Sequence, residues 1–217
     1  KWRNYNVLEV YLFVNPLANQ CVRDEQNVLR LANDSDKQIQ FQFVPLLNIN
    51  VIQRALKCQG IKASDWHAQN QQSQTLYRVI LDYKAALFQG KKRGRNFLIA
   101  LQSAMLKAGQ HYSEELVKTV ATNCQIDLDM FMEDRDSDLA KQAFHADQRL
   151  ASEMNITEAS SAVVFDCDQY DYGVLLEHFN YTTLFDLVNG NLDPFQDATR
   201  ATNASCASLA NAQLHVL

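Results

Sequence analysis

Along Val7-Leu8-Glu9-Val10-Tyr11-Leu12-Phe13-Val14 apolar positions run almost unbroken, in β-branched and aromatic side chains, and this predicts a buried strand. The Asn15-Pro16 pair stops it. From Cys21 to Ala32 the period changes: Val22, Val28, Leu29 and Ala32 recur near helical spacing, so a helix follows a short turn. Gln38-Ile39-Gln40-Phe41-Gln42-Phe43-Val44-Pro45 then alternates polar and apolar with the period of a half-buried strand, ended by Pro45. A helical crossover between two such strands predicts a parallel pair joined by the right-handed connection.

From Ser64 to about Met154 the pattern is helical. Tyr77, Ile80, Leu81, Lys84 and Leu87 mark one face, Phe97, Leu98, Leu101, Ala104 and Met105 a second, and Leu116, Val117, Val120 and Cys124 a third. Ser113 before Glu114-Glu115 has the chemistry of an N-cap, and Asp127, Asp129 and Ser137 mark further helix starts. Beyond Asn155 two short apolar runs, Ser161–Phe165 and Val174–Leu176, flank the polar turn from Asp166 to Asp171, which predicts an antiparallel hairpin. Thr182–Val188 reads as the final clear helix, closed by Asn189-Gly190. The residues from Asp193 are rich in Ala, Asn, Ser and Thr, and Ser205–Leu217 reads as one weakly specified helix. The expected division is therefore 7–63 for a β-α-β portion, 64–155 for a helical insertion, 156–192 for a β-β-α portion and 193–217 for the tail.

Composition narrows the function classes. The chain has 217 residues, enough for one compact body with a sizeable insertion. With 47% hydrophobic and 21% charged residues and a net charge of −5, nothing draws it globally to nucleic acid or to acidic lipid. No apolar run nears the ~18 residues of a membrane span, and no charged-apolar-small leader opens the chain at Lys1, so a cytoplasmic protein is expected. Cys21, Cys58, Cys124, Cys167 and Cys206 are odd in number and scattered, which fits reduced thiols better than a disulfide framework or a zinc site. No cofactor is implied. The sequons at Asn33, Asn155, Asn180 and Asn203 stand without secretory context and read as chance in an Asn-rich chain.

The order β-α-β, helical insertion, β-β-α is that of an α/β protein with a thioredoxin-like fold. Its redox members place a C-x-x-C where the first strand turns into the first helix, and here those positions read Ala18-Asn19-Gln20-Cys21. In a working pair the first cysteine lies at the exposed helix N-terminus, where backbone N–H groups and the helix dipole favour the attacking thiolate. The second resolves the mixed disulfide. Ala18 removes the attacking sulfur and leaves Cys21 without a disulfide to resolve, so Cys21 reads as a small buried apolar residue. The enzyme alternative, a thiol-disulfide oxidoreductase using Cys21 alone, stays open. A glutathione transferase of the kappa class would need Ser or Cys at the helix N-terminus, which Ala18 does not supply, though Asn19 offers a hydrogen-bond donor.

Other features carry weaker signals. Lys91-Lys92-Arg93-Gly94-Arg95 reads as a solvated helix C-terminus with a glycine turn, and Glu133-Asp134-Arg135-Asp136-Ser137-Asp138 as a capped, solvated turn lacking the oxygen and glycine pattern of a calcium loop. His67, His111, His145, His178 and His215 show no ligand or triad spacing. Tyr170-Asp171-Tyr172 and Phe179-Asn180-Tyr181 offer aromatic area, read as core for Phe179 and Tyr181 and otherwise as a partner patch.

Four stretches carry a family likeness: Leu8 to Leu17; Gln89-Gly90-Lys91-Lys92-Arg93-Gly94-Arg95-Asn96-Phe97-Leu98; Asp127-Leu128-Asp129-Met130-Phe131; and Ser137 to Phe144, running on to Asp147 and Glu153-Met154. In these the chain resembles the DsbA-like group of thioredoxin-fold proteins, and within it the YjbH/SpxH branch of Gram-positive bacteria. The resemblance implies a DsbA-like inserted helical subdomain. It also implies a cis proline before the third strand, and alignment on Ser161-Ala162-Val163 puts Ser160 there. A cis bond to a residue other than proline costs about 2.5–4 kcal/mol, so the Ala159-Ser160 bond is expected trans. Ala18, Asn19, Gln20, Cys21 and Ser160 together describe a degenerate redox site with no catalytic residue. The function implied is a non-enzymatic adaptor that binds the stress regulator Spx and promotes its degradation by ClpXP. Such affinity rests on strand addition or a buried apolar anchor rather than a thiolate. Relatives commonly continue past the last helix, and a small-ligand remnant site is a third reading.

Overall fold

A computed structural model describes residues 8–166, 172–192 and 213–216. The chain folds into two compact units: one contains Leu8–Val14, Arg23–Val44 and the described residues from Ala159 onward, the other Asn15–Val22 and Pro45–Glu158. Residues 45–63, assigned from the sequence to the sheet portion, thus group with the helices.

In the first unit the unbroken apolar runs become the middle of a sheet. Strands β1 (Leu8–Val14), β2 (Ile39–Pro45), β3 (Ser161–Phe165), β4 (Gly173–Glu177) and β5 (Gln213–Val216) lie in the order β2-β1-β3-β4-β5. β1 and β3 are antiparallel with Phe13 opposite Ser161 and Val10 opposite Val164. β3 and β4 form the expected antiparallel hairpin, Ala162 opposite Leu176. Runs such as Ala162-Val163-Val164 are buried because both faces of a central strand are covered. Gly173 opens β4 opposite Phe165, and a Cβ there would lie 2.7 Å from the Phe165 ring. That ring meets Tyr11 edge-on at 6.0 Å.

The tail is corrected here: Gln213–Val216 is not helical but pairs antiparallel with β4, Leu214 opposite Leu176, and residues 193–212 lie outside the described residues. An unpaired β4 edge supplies long-range backbone partners that no local propensity in the tail announces. Helix α1 (Asn19–Asp34) buries Val28 and Leu31. Its C-terminal turn meets helix α8 (Tyr181–Val188), where Arg30 sits 3.9 Å over the Tyr181 ring and the Tyr181 hydroxyl donates to Asp34 at 2.8 Å. Phe179 is buried, as its core reading expects, Tyr181 is only half-buried, and Tyr170 and Asp171 fall outside the described residues.

The second unit contains α2 (Ile49–Cys58), α3 (Trp66–Phe88), α4 (Lys91–Gln102), a π-helical turn at Ser103–Lys107, α5 (Glu114–Asn123), α6 (Leu128–Asp134) and α7 (Asp138–Glu153). Helix α2 was not foreseen; Asn48 caps it, accepting from Val51 N–H at 2.9 Å. The expected caps form: Ser113, Asp127 and Ser137 accept from the N–H groups of Leu116, Met130 and Ala140. Phe97, Leu101, Val117, Ala121 and Phe131 build the core with Val79, Ala85 and Ala86 of α3.

The basic run is also corrected. Lys91, Lys92 and Arg93 begin α4 rather than end a helix, and the turn belongs to Gly90 at φ 122°. Gly94 lies inside α4, where a Cβ would meet the Leu87 side chain at 2.6 Å. Its role is close helix packing, not a turn. The acidic run is the capped α6–α7 junction, where Asp136 is exposed and paired to Arg78 at 2.7 Å. Among the described residues no helix is long and apolar enough to cross a membrane.

Candidate functional site

Where β1 gives way to α1, one side chain and its own backbone organise the turn. Asn15, 3% exposed, accepts at Oδ1 from Leu17 N–H at 2.9 Å and at its carbonyl from Ala18 N–H at 3.0 Å. This is the Asx turn that Asn before Pro favours, because Pro16 has no donor to compete. The helix then closes with Val22 N–H on the Ala18 carbonyl at 3.3 Å. The backbone N–H of Asn15 donates to Cys21 Sγ at 3.2 Å.

Cys21 is 1% exposed and is in no disulfide. Its sulfur serves as a weak acceptor inside the protein, which is the buried-residue reading of this position. Ala18 is half-buried and Asn19 and Gln20 are exposed at the start of α1. Ala18 thus presents a methyl group at the start of α1, and the Cys21 thiol lies inside the protein.

Ser160 lies in the sheet unit. Its peptide bond is trans, as expected, and its φ of 75° places a non-glycine residue in the left-handed region. Two bonds hold it there: its N–H donates to the Phe13 carbonyl at 2.8 Å, and its hydroxyl donates to Asp24, a residue of α1 that is 1% exposed. The bond to Asp24 spans 136 residues and no sequence pattern announces it.

The other described cysteines add no redox site. Cys58 is exposed at the end of α2, and burial pushes the Cys124 thiol up, away from the thiolate. Cys167 and Cys206 lie outside the described residues. Among the described residues no three His, Cys, Asp or Glu side chains are grouped to hold a metal ion.

The helical unit carries charged groups that sequence reasoning passed over. Arg135, in the acidic run, turns inward and donates from Nε to Asp82 at 2.7 Å, with side-chain exposures of 4% and 0%. The Tyr112 hydroxyl donates to the other Asp82 oxygen at 2.6 Å and receives a bond from Arg135 at 2.9 Å. Burial pushes the Asp82 carboxyl up, opposed by Arg135 and Tyr112, and burial followed by the Asp82 charge pushes the Tyr112 phenol up. Lys84 and Asp147 form a second buried pair, in which burial pushes the carboxyl up against the pull of Lys84. Lys84 stands in sequence on the apolar face of α3. The visible signal was a charge at a buried helical position.

Beside this network a cleft of ≈ 240 Å³ opens, with Gln71, Gln72 and Thr75 of α3 on one side and Gln110, His111 and Tyr112 on another. Leu17, next to Ala18, and Met105 and Leu106 of the π-helical turn supply its apolar part. No Asp, Glu, Lys or Arg side chain lines it.

Sheet order, the helical stretch inserted in sequence between β2 and β3, and the β1–turn–α1 site define a thioredoxin-fold protein of the DsbA-like class. The solved structures it resembles share that fold: the oxidoreductase DsbA from Xylella fastidiosa at a TM-score of 0.57 and 12% identity, covering 85% of this chain and 83% of that one, and a thioredoxin-like oxidoreductase from Silicibacter pomeroyi DSS-3 at a TM-score of 0.55 and 17% identity, covering 91% and 88%. The chain belongs to the thioredoxin family, whose model, described as Thioredoxin, matches residues 11–186. Within that family its sequence is similar to the ClpXP adapter protein SpxH of Staphylococcus saprophyticus, with 27% identity over 170 residues. That match takes in 78% of this chain, and the chain spans 60% of the relative's length.

Proposed function

We propose that this chain is the thioredoxin-fold part of a cytoplasmic, non-enzymatic adapter that binds an Spx-like stress regulator and promotes its degradation by ClpXP. The likeness to SpxH supplies the partner, and the β1–α1 corner supplies the reason that no enzyme is needed. The single observation that carries the reading is the β1–α1 corner, with a methyl group at Ala18 where an attacking sulfur would stand and a buried, hydrogen-bonded sulfur at Cys21. An adapter works through surface complementarity, which the loss of a thiolate leaves untouched.

The test is a pull-down of the purified chain with an Spx-like regulator, followed by degradation of that regulator by ClpXP with and without the chain. Binding with faster degradation is expected; no binding and no effect would leave the thioredoxin fold without this role. The alternative, an oxidoreductase acting through Cys21, is favoured by the redox members of the fold. It requires rapid alkylation of Cys21 at neutral pH, whereas a thiol 1% exposed labels slowly.

A further inference from the structure

We propose that the corner where α3 turns into α4, with Phe88, Lys91, Lys92 and Arg93 exposed on it, is a docking surface for an acidic segment of the partner protein. Carboxylates of that segment meet the three cations, and one of its apolar side chains packs on Phe88. The inference rests on the adapter reading, in which the chain works by holding another protein. The corner lies about 20 Å along α3 from Thr75 and is separate from the cleft that Thr75 lines.

Charge selects the occupant. In a chain of net charge −5, the stretch between Asp82 and Glu114 carries Lys84, Lys91, Lys92, Arg93, Arg95 and Lys107 and no aspartate or glutamate. Lys84 is buried against Asp147, so the dense exposed part is the run that opens α4. Elsewhere on the described surface Arg30, Arg54, Lys118 and Lys141 each pair with a carboxylate, three of them within their own helix. Lys91, Lys92 and Arg93 cannot do the same. Three and four residues on stand Gly94, Arg95, Asn96 and Phe97, and three and four residues back stand Leu87, Phe88, Gln89 and Gly90. Among the described residues no carboxylate pairs with the run. The adjoining α6 opens with Asp127, whose carboxylate accepts from Met130 N–H at 3.1 Å as a cap, and with Asp129 in its first turn. Three cations in the first turn of a helix oppose its dipole, so the run does not serve the stability of α4.

The corner beneath these charges is held still. The Gln89 carboxamide clasps the backbone of Asp127 at both ends, donating to the carbonyl at 2.9 Å and accepting from the N–H at 2.7 Å. Gly94 lets α4 close on Leu87, and the Phe97 ring packs against Phe131 of α6 at 5.3 Å. On this fixed backbone Phe88, the last residue of α3, is 39% exposed beside the cations. An exposed aromatic next to an arginine is the composition of a binding hot spot, and a preorganised corner lowers the cost of docking. Phe88 also separates a protein from a nucleic acid as the occupant. It offers apolar area to a side chain, whereas a phosphate backbone is held along a longer basic path and is repelled by the acidic remainder of the chain.

The experiment pans a phage library of acidic peptides, with Asp or Glu at alternate positions and the others random, against the purified chain, and measures the enriched peptides by fluorescence anisotropy. The variants are the triple reversal Lys91→Glu, Lys92→Glu and Arg93→Glu, then Phe88→Ala, then Lys62→Glu at an exposed site outside the corner. Enriched peptides are expected to carry an apolar residue among their carboxylates. Their affinity should fall at least tenfold in the triple reversal and at least threefold in Phe88→Ala, and hold in Lys62→Glu. Thermal melts of the triple reversal are expected to match or exceed wild type, because Glu suits a helix N-terminus, so lost binding cannot be put down to a lost fold. Failure to enrich any peptide, equal binding to the triple reversal, or tighter binding of a single-stranded oligonucleotide that ignores Phe88→Ala would overturn the proposal. An Spx-like regulator measured on the same variants separates the two readings. If it binds wild type and the triple reversal equally, the corner is wrong and the adapter stands; if it fails to bind while the acidic peptides do, the corner stands and the named partner is wrong.

Discussion

The Asn15–Cys21 turn and the Asp82–Arg135–Tyr112 network belong to the same helical unit and treat buried polarity in opposite ways. In the turn, one asparagine satisfies two N–H groups and a sulfur within seven positions, and nothing charged is buried. In the network, an aspartate and an arginine from distant helices are taken fully out of water and need a tyrosine to complete their bonding. The turn sits where a redox relative does its chemistry, and it is the inexpensive region. The costly polar groups lie beside the cleft. The buried ion pair fixes Tyr112 at the cleft wall.

Breaking the network is expected to have the largest effect. Arg135→Met leaves the Asp82 carboxyl buried without its cation and should lower stability by about 3–5 kcal/mol in urea denaturation, whereas Asp82→Leu with Arg135→Met should recover most of the loss. A full loss persisting in the double variant would show that the packing, not the charge pair, matters. Restoring the proline that a redox relative carries, Ser160→Pro, should destabilise by about 2–3 kcal/mol. It removes the N–H on the Phe13 carbonyl and demands a negative φ where the chain has 75°. Thermal melts of the variant read this directly.

Asn15→Ala deletes the Oδ1 acceptor of the Leu17 N–H and should cost about 1 kcal/mol by the same denaturation. Smallest is Asp136→Asn. Arg78 holds the Asp136 carboxyl below its ordinary value of 3.8, so the pair contributes stability that is present above that value and lost as pH falls through the lower folded value. With Asp136 65% exposed, the effect should stay under about 0.5 kcal/mol at neutral pH and vanish in acid, as melts across that range would show.

Sequence reading succeeded where the signal was local. The hairpin of Ser161–Phe165 and Gly173–Glu177, the burial of β1 and the caps Ser113, Asp127 and Ser137 are decided by periodicity and by side chains within three residues of their partners. It failed where tertiary contact decides. Helix α2 is hidden in an Asn- and Gln-rich stretch whose Val51, Ile52 and Leu56 make too short a stripe. The placement of Lys91–Arg93 was reversed because Gly94 looked like a turn, when its missing Cβ serves contact with Leu87. The residues Ala18-Asn19-Gln20-Cys21 are read directly from four letters, and the burial of Cys21 follows the core reading of that position. The Ser160 bond to Asp24 and the cleft were not legible, because the first joins residues 136 apart and the second collects side chains from separate segments.

The central claim, an adapter that works without thiol chemistry, is tested most directly by measuring ClpXP degradation of an Spx-like regulator with the wild-type chain and with Cys21→Ala. Both are expected to accelerate degradation equally, in the presence or absence of reductant. Acceleration that disappears in Cys21→Ala, or no acceleration by the wild-type chain, would contradict it.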